Sequence, residues 1–300
     1  QQNLLLFEEQ QDNQYLKKVE HKEYGKVVFY LNQPSENIVI TNNIKEKIRW
    51  YVEERNPTND TIIHWLLGVG NFKEATYYVK DGKEILDTTE VNFIDASKFK
   101  DTALTVTTNI SPMFDLDKNI VVSTPRPVTV INKENIQLLE DSVPVKWEFI
   151  AHENTRKFEI SYPFKENTNY VLQMLPNTFG DLRGLKNDSI TTSFKTKKTS
   201  DYGIILLQMD VNFEAPYVLQ LIKNKKIIKE LPLVGNQQLN FPNLNPGDYE
   251  LHLIVDENDN KKWDTGNYLK KQPPETVIHY QKVIKIRPNW DNEILWKIRL

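Results

Sequence analysis

The sequence predicts an all-β protein built as tandem antiparallel β-sandwiches. Three observations lead there. Apolar and polar residues alternate with a period of two in many short runs, as in Phe158, Ile160 and Tyr162 against Glu159 and Ser161. Turn-forming pairs separate those runs at roughly the 8–12-residue spacing of sandwiches and barrels. Windows with the 3.6-residue apolar period of an amphipathic helix are scarce. Period-two runs bury one face and leave the other wet, whereas a βαβ fold would need helical windows between its strands.

Taken in order, residues 22–108 offer strands at Val27–Leu31, Ile38–Thr41, Ile48–Glu53, Thr61–Leu67, Thr76–Val79, Ile85–Thr88 and Ala103–Thr107. In the third of these, Ile48, Trp50 and Val52 alternate with Arg49, Tyr51 and Glu53. Residues 109–200 offer Ile120–Ser123, Ile136–Leu139, Val145–Phe149, Lys157–Ser161, Tyr170–Leu175 and Ser189–Thr196. After the polar joint Lys197-Lys198-Thr199-Ser200-Asp201 come Gly203–Gln208, Tyr217–Ile222, Lys226–Glu230, Gln238–Phe241, Tyr249–Val255, and Thr276–Val283 with Trp296–Leu300. Turn chemistry falls at Asp81-Gly82, Asn132-Lys133, Asn187-Asp188, Asn224-Lys225 and Pro246-Gly247. Two stretches have a partly helical look: Glu8–Lys18, too polar to bury a face, and Asn132–Glu140, which is short. The expected division is 1–108, an Ig-like sandwich with an irregular lead-in; 109–200, a bacterial Ig-like domain; and 201–300, a transthyretin-like sandwich. Each is near the ~100 residues of one sandwich.

Composition narrows the function. The 300 residues carry 38 Lys and Arg against 41 Asp and Glu, a net charge of −3, so there is no basic excess for nucleic acid. Hydrophobic residues reach 39%, enough to build cores. No Cys is present, which removes disulfides, thiolate metal sites and thiol nucleophiles. No apolar run approaches the ~20 residues of a membrane helix. The chain opens on Gln1-Gln2-Asn3 before Leu4-Leu5-Leu6-Phe7, without Met or a signal peptide, and reads as a fragment or processed part of a longer protein.

The middle segment carries Asn169-Tyr170-Val171-Leu172, then Pro176-Asn177-Thr178-Phe179-Gly180-Asp181-Leu182-Arg183-Gly184, then Ser193-Phe194-Lys195-Thr196. A Tyr-led strand, an Asp-x-x-Gly turn and a closing Ser-Phe-x-Thr strand resemble the bacterial Ig-like domains of the S-layer-protein type. Residues 244–251, Leu-Asn-Pro-Gly-Asp-Tyr-Glu-Leu, resemble the signature of transthyretin-like (carboxypeptidase-regulatory-like) sandwiches. With the run Asp256–Leu269, Gln272-Pro273 and Trp290-Asp291, residues 109–300 resemble a family of Ig-like-domain lipoproteins of the Bacteroidota cell envelope. That resemblance implies sandwich domains, an outer-membrane location on the periplasmic face or cell surface, and a lipid anchor outside this chain. It implies no activity.

Catalytic signals are absent from the sequence. His21, His64, His152, His252 and His279 form no His-x-x-x-His or His-Glu-x-x-His spacing, and Gly68-Val69-Gly70 lacks the rest of any phosphate-binding fingerprint. Paired acids such as Glu53-Glu54 and Asp115-Leu116-Asp117 read as solvated faces. Among the six Trp, Trp50, Trp65 and Trp147 lie in alternating strands and read as core, while Trp263, Trp290 and Trp296, with Tyr268, are candidates for ligand contact. Lys223, Lys225, Lys226 and Lys229 read as a solvated hairpin guarding an edge strand. In the loop Asp256–Asn267, oxygen side chains at Asp256, Asn258, Asn260, Asp264 and Asn267, with the Lys262 carbonyl, follow the spacing of an EF-hand-like calcium loop. Lys261 where that loop needs Gly, and Asn267 where it needs Glu, depart from the pattern; the competing reading is an Asx-rich loop bonded to its own backbone. A structural calcium ion is thus the one cofactor the sequence offers.

The expected function is a non-catalytic envelope protein, a scaffold or interaction subunit whose partners are other outer-membrane or surface proteins. The alternative is a carbohydrate-binding surface protein that stacks exposed Trp and Tyr on a polysaccharide.

Overall fold

The computed structural model describes residues 13–45, 50–67, 72–152, 154–266 and 271–300. Expectations for Leu4–Phe7, the start of Glu8–Lys18, Ile48-Arg49, Gly68-Val69-Gly70, Asn267, Tyr268 and Leu269 fall outside the described residues. The chain is all-β and forms tandem antiparallel sandwiches. Among the described residues, the helical turns are single 3-10 turns at Ala96–Lys98, Lys133–Asn135 and Thr199–Asp201.

The first seven strands are β1 (Leu16–Glu23), β2 (Lys26–Leu31), β3 (Ile38–Asn42), β4 (Tyr51–Arg55), β5 (Thr61–Leu66), β6 (Glu74–Asp81) and β7 (Glu84–Asn92). They make one sheet in the order β1-β2-β5-β4 and another in the order β3-β6-β7. Alternate residues meet between the sheets: Val27, Phe29 and Leu31 from β2, Ile38 and Ile40 from β3, and Ala75, Tyr77 and Val79 from β6. Strand β1 was hidden in the sequence because its residues are polar or only half-buried; pairing with β2 holds it in place.

Next come β8 (Thr107–Thr108), β9 (Met113–Phe114), β10 (Ile120–Ser123), β11 (Val128–Ile131), β12 (Ile136–Glu140), β13 (Val143–Val145), β14 (Glu148–Ala151), β15 (Lys157–Ser161), β16 (Asn169–Met174), β17 (Phe179–Asp181) and β18 (Ile190–Thr196). The sheets run β14-β15-β10-β8 and β13-β12-β16-β18-β9, with β11-β17 as a separate pair. Their core joins Phe114, Ile120, Leu138, Phe158, Ile160, Tyr170, Leu172 and Phe194, and it takes in Leu104. The partly helical stretch Asn132–Glu140 is one 3-10 turn followed by β12. The single strand expected over Val145–Phe149 is two, because the chain crosses there from one sheet to the other. Ala103–Thr107 contributes only the short β8.

The last strands are β19 (Gly203–Val211), β20 (Tyr217–Lys223), β21 (Lys226–Leu233), β22 (Gln237–Leu244), β23 (Gly247–Val255), β24 (Val277–His279), β25 (Ile284–Ile286) and β26 (Asp291–Ile298). One sheet runs β22-β19-β26; the other runs β21-β20-β23-β24, with β25 also on β23. Ile205, Leu207 and Met209 face Leu219, Leu221, Tyr249, Leu251 and Leu253 in the third core. The expected run Thr276–Val283 is divided between β24 and β25, and β26 begins before Trp296.

Two pairs are parallel, β9 with β18 and β19 with β26. In each, a strand that opens a sandwich lies beside the one that closes it, so no crossover helix is needed. Local alternation carries no information about such a pairing between distant strands.

Candidate functional site

Among the described residues, charged and amide side chains gather at the loop after β23 and at the two joints between adjacent cores. The loop is closed by its own atoms. Asp256, almost fully buried, accepts the backbone N–H of Asn260 (3.1 Å) on one carboxylate oxygen and that of Lys261 (2.8 Å) on the other. Asn258 Oδ1 takes the Asn260 N–H and Asn260 Oδ1 takes that of Lys262. Both side-chain amides donate to Asp264 Oδ2, at 2.5 and 2.6 Å. These are Asx turns, each short side chain replacing a backbone acceptor. Glu275, missed in the sequence because it lies beyond the loop, accepts the N–H groups of Glu257 (3.1 Å) and Asp264 (3.0 Å). Burial, and the neighbouring charges of Asp264 and Asp256, raise the Glu275 carboxyl above its ordinary range. Asp256, Asn258, Asn260 and Asp264 thus bond one another and the loop backbone, Asp264 through Oδ2.

The tryptophans separate. Trp296 is 6% exposed and packs edge-on to Tyr280, so it is a core residue. Trp263 and Trp290 are 47% and 53% exposed. Trp263 donates its ring N–H to the Glu275 carbonyl, and Arg287 lies 4.8 Å over the Trp290 ring. Trp290 sits by the end of the sandwich where Gly203 pairs with Leu244 and Gly247 with Ile286, whereas Trp263 follows Val255, at the far end of β23. Nine residues of strand put roughly 30 Å between those ends. The two rings form no common stacking platform.

Of the three tryptophans expected in cores, Trp50 is in the first, and Trp147 packs partly buried on the second. Trp65 is buried, but beneath the joint between them: its ring N–H donates to Glu54 (2.8 Å) and the Arg156 guanidinium lies 5.4 Å over it. The histidines are structural. His64 is buried against Phe29 and Tyr77 beside Glu53, His21 accepts the Ile94 N–H, and His152 meets Glu159. His252 and His279 pack against each other across β23 and β24.

The first joint is made by arginines. Arg156 donates to both oxygens of Glu54, Nε to Oε2 at 2.9 Å and Nη2 to Oε1 at 2.6 Å, a bidentate fork that fixes angle as well as distance. Arg183 donates to the Tyr24 carbonyl and covers the rings of Tyr24 (4.8 Å) and Phe99 (4.4 Å). Arg126 bonds Asp181 (2.6 Å) and Asp101 (2.7 Å). The second joint centres on Asp115, which is buried and takes Lys118 on one oxygen (2.5 Å) and Lys197 on the other (2.7 Å). Lys197 also reaches Asn245 (2.5 Å), and the Tyr202 hydroxyl accepts the Leu116 N–H (3.0 Å) while donating to Asp115. Burial raises the Asp115 carboxyl, but the two lysines outweigh it and hold the group at about 2. Asp201 and Glu166 bond the backbone of the linker at Lys198 and Thr199. Asp181 and Arg183 lie in the Asp-x-x-Gly turn of the middle segment, and Glu54 and Asp115, expected on solvated faces, are instead drawn into the joints by Arg156 and Lys197; ion pairs between segments leave no periodicity that would mark them.

No protein-family model matches the sequence, and no curated protein does. Solved structures give distant likenesses. Escherichia coli alpha-2-macroglobulin domains MG0-NIE-MG1 align with 8% identity and a TM-score of 0.29 over 59% of this chain and 71% of that one. The titin I-band fragment I67-I69 aligns with 10% identity and a TM-score of 0.21 over 94% and 98%. The Bacillus anthracis TIE protein aligns with 10% identity and a TM-score of 0.23 over 67% and 41%. Likeness at this level adds nothing to the strand pairing described above. No helix among the described residues is long and apolar enough to cross a membrane.

Proposed function

We propose that this chain is a non-catalytic scaffold and interaction segment of a cell-envelope protein, held at the outer membrane by a lipid anchor outside the chain. Its three sandwiches, divided near residues 108 and 200, would hold binding surfaces at set spacing and angle for other outer-membrane or surface proteins. The observation that carries this reading is that both joints are closed by side-chain hydrogen bonds to charged groups rather than left as free linkers. Inter-domain motion is the ordinary expectation unless an interface is built to prevent it. A chain that spends three arginines and a buried aspartate on its joints supports a role in which relative orientation matters. The envelope location rests on the sequence resemblance alone.

The carbohydrate alternative gains no support from the site. Its three candidate tryptophans are one buried residue and two at opposite ends of the sandwich, and Tyr268 lies outside the described residues. Recovery of the intact native protein from gently solubilised membranes tests the proposal. Discrete outer-membrane proteins at stoichiometric yield, cross-linked to exposed strand residues, are expected. Recovery without partners, coupled with retention on a polysaccharide resin, would replace the scaffold reading with the sugar-binding one.

A further inference from the structure

The first joint also encloses a cleft of about 750 Å³. Lys22, Lys98, Lys100, Arg126 and Arg183 line it, against only two carboxylates, Glu23 and Asp101. Five cations less two anions leave an excess of three positive charges at one concavity, in a chain whose overall charge is −3. The excess is not uniform. Lys22 pairs with Glu20, Glu23 with Lys26, and Arg126 with Asp101 and Asp181. Arg183 has only a carbonyl oxygen and two aromatic faces, and so carries a partly buried charge with no carboxylate bonded to it. Arg126 is 7% exposed, and its Nη2 has no hydrogen-bond partner among the described residues; nor does the buried Nε of Arg183. Both guanidiniums lie within about 5 Å of the Phe99 ring centroid, so two like charges share one half-buried place. Burial and the charge of Arg126 act against the charged form of Arg183, and Tyr24, Asp181 and Asp101 offset them only in part.

A half-buried guanidinium pair whose carboxylate neighbours only partly offset its charge is costly, and an anion in the cleft relieves that cost. Arginine forks match the oxygens of phosphate and sulfate, and a doubly charged group answers an excess of three better than a single carboxylate does. We propose that the cleft between the first and second sandwiches binds a tetrahedral oxyanion, phosphate or sulfate, either as the free ion or as a monoester on a larger molecule. Arg183 and Arg126 would form its floor, while the exposed Lys98 and Lys100 supply long-range attraction. This inference does not depend on the envelope reading: a scaffold in any compartment could carry such a site.

The test is a thermal-melting and calorimetric titration of the purified chain with sodium phosphate, sodium sulfate and glucose 6-phosphate, each against sodium chloride at matched ionic strength. The oxyanions should raise the melting temperature beyond chloride. Arg183→Met should weaken binding by roughly tenfold or more, the size of one lost charge-assisted hydrogen bond. Lys98→Ala with Lys100→Ala, both at exposed positions, should weaken it several-fold without disturbing the fold, which keeps the test valid if the Arg183 variant loosens the joint. Glucose 6-phosphate binding as well as phosphate would identify a monoester ligand; binding of the inorganic ions alone would identify a free ion. A response equal to that of chloride, or one unchanged in both variants, would overturn the proposal.

Discussion

Asp115 shows how one carboxylate can hold two sandwiches together. It is buried, yet Lys118 and Lys197 keep it ionised down to a pKa of about 2, below the ordinary aspartate value of 3.8. A group depressed in the folded state stabilises above its unfolded pKa, and that stability is lost as the proton returns. The Asp115 contribution, about 2 kcal/mol, should therefore be complete above pH ~5 and fall away between pH ~4 and pH ~2. Acid melts of the wild type and Asp115→Asn should converge toward pH 2 and reach their full separation by about pH 5; curves that stay parallel from pH 2 to pH 5 would show that Asp115 does not stabilise the fold in this way. Asp256 makes the matching case in the loop. Removing it by Asp256→Ala takes the partner from the Lys261 N–H and leaves the Asn260 N–H only Asn258 Oδ1, and should cost roughly 1–3 kcal/mol. The self-bonded loop also predicts no melting shift for metal-stripped protein at millimolar calcium. A shift would mean that the Asn258 and Asn260 amides turn their oxygens onto an ion. The spacing of oxygen residues was legible in the sequence, but which atoms they bond was not, since the same Asx pattern serves a metal or a turn.

At the scale of elements, alternation was a sound guide wherever one face of a strand is buried. Tyr249, Leu251 and Leu253 alternate along the strand expected at Tyr249–Val255, and all three are buried in the third core. Truncating Leu251 or Leu253 to Ala should cost ~2–5 kcal/mol in denaturant unfolding, since each side chain is enclosed on all sides. Turn chemistry was legible too. Asn224-Lys225 links β20 to β21 with φ of 50° and 60°, the left-handed pair of a tight hairpin. Lys225 occupies a conformation that Gly adopts without penalty, so Lys225→Gly should raise stability by up to about 1 kcal/mol, read as a small upward melting shift. Elements failed to show where tertiary contacts override pattern. Polar β1 survives by pairing with β2, and the two-residue β8 and β9 are too short to carry a period. Trp65 is buried as its strand led us to expect, but its place at the joint, beneath Arg156, had no signature in the alternation.

For the whole molecule, the all-β class was readable from composition and spacing, whereas the contacts at the joints were not. Glu54 and Arg156 are about a hundred residues apart in the chain. What their pairing does is set one sandwich against the next, and Asp115, Lys197 and Tyr202 do the same at the second joint. A double-mutant cycle on Glu54→Gln and Arg156→Met should return a coupling of roughly 1–3 kcal/mol, with the bidentate geometry placing it above ordinary surface pairs. The central claim is that the sandwiches keep a fixed mutual orientation. Because the chain has no Cys, spin labels can be attached at cysteines introduced in place of the exposed Ile85, Val143 and Ile227, one in each sandwich and taken in pairs. Pulsed electron–electron distance measurements across each joint should give a single narrow distribution that broadens in Glu54→Ala for the first joint and in Asp115→Ala for the second. Broad wild-type distributions, unchanged by either substitution, would contradict the account.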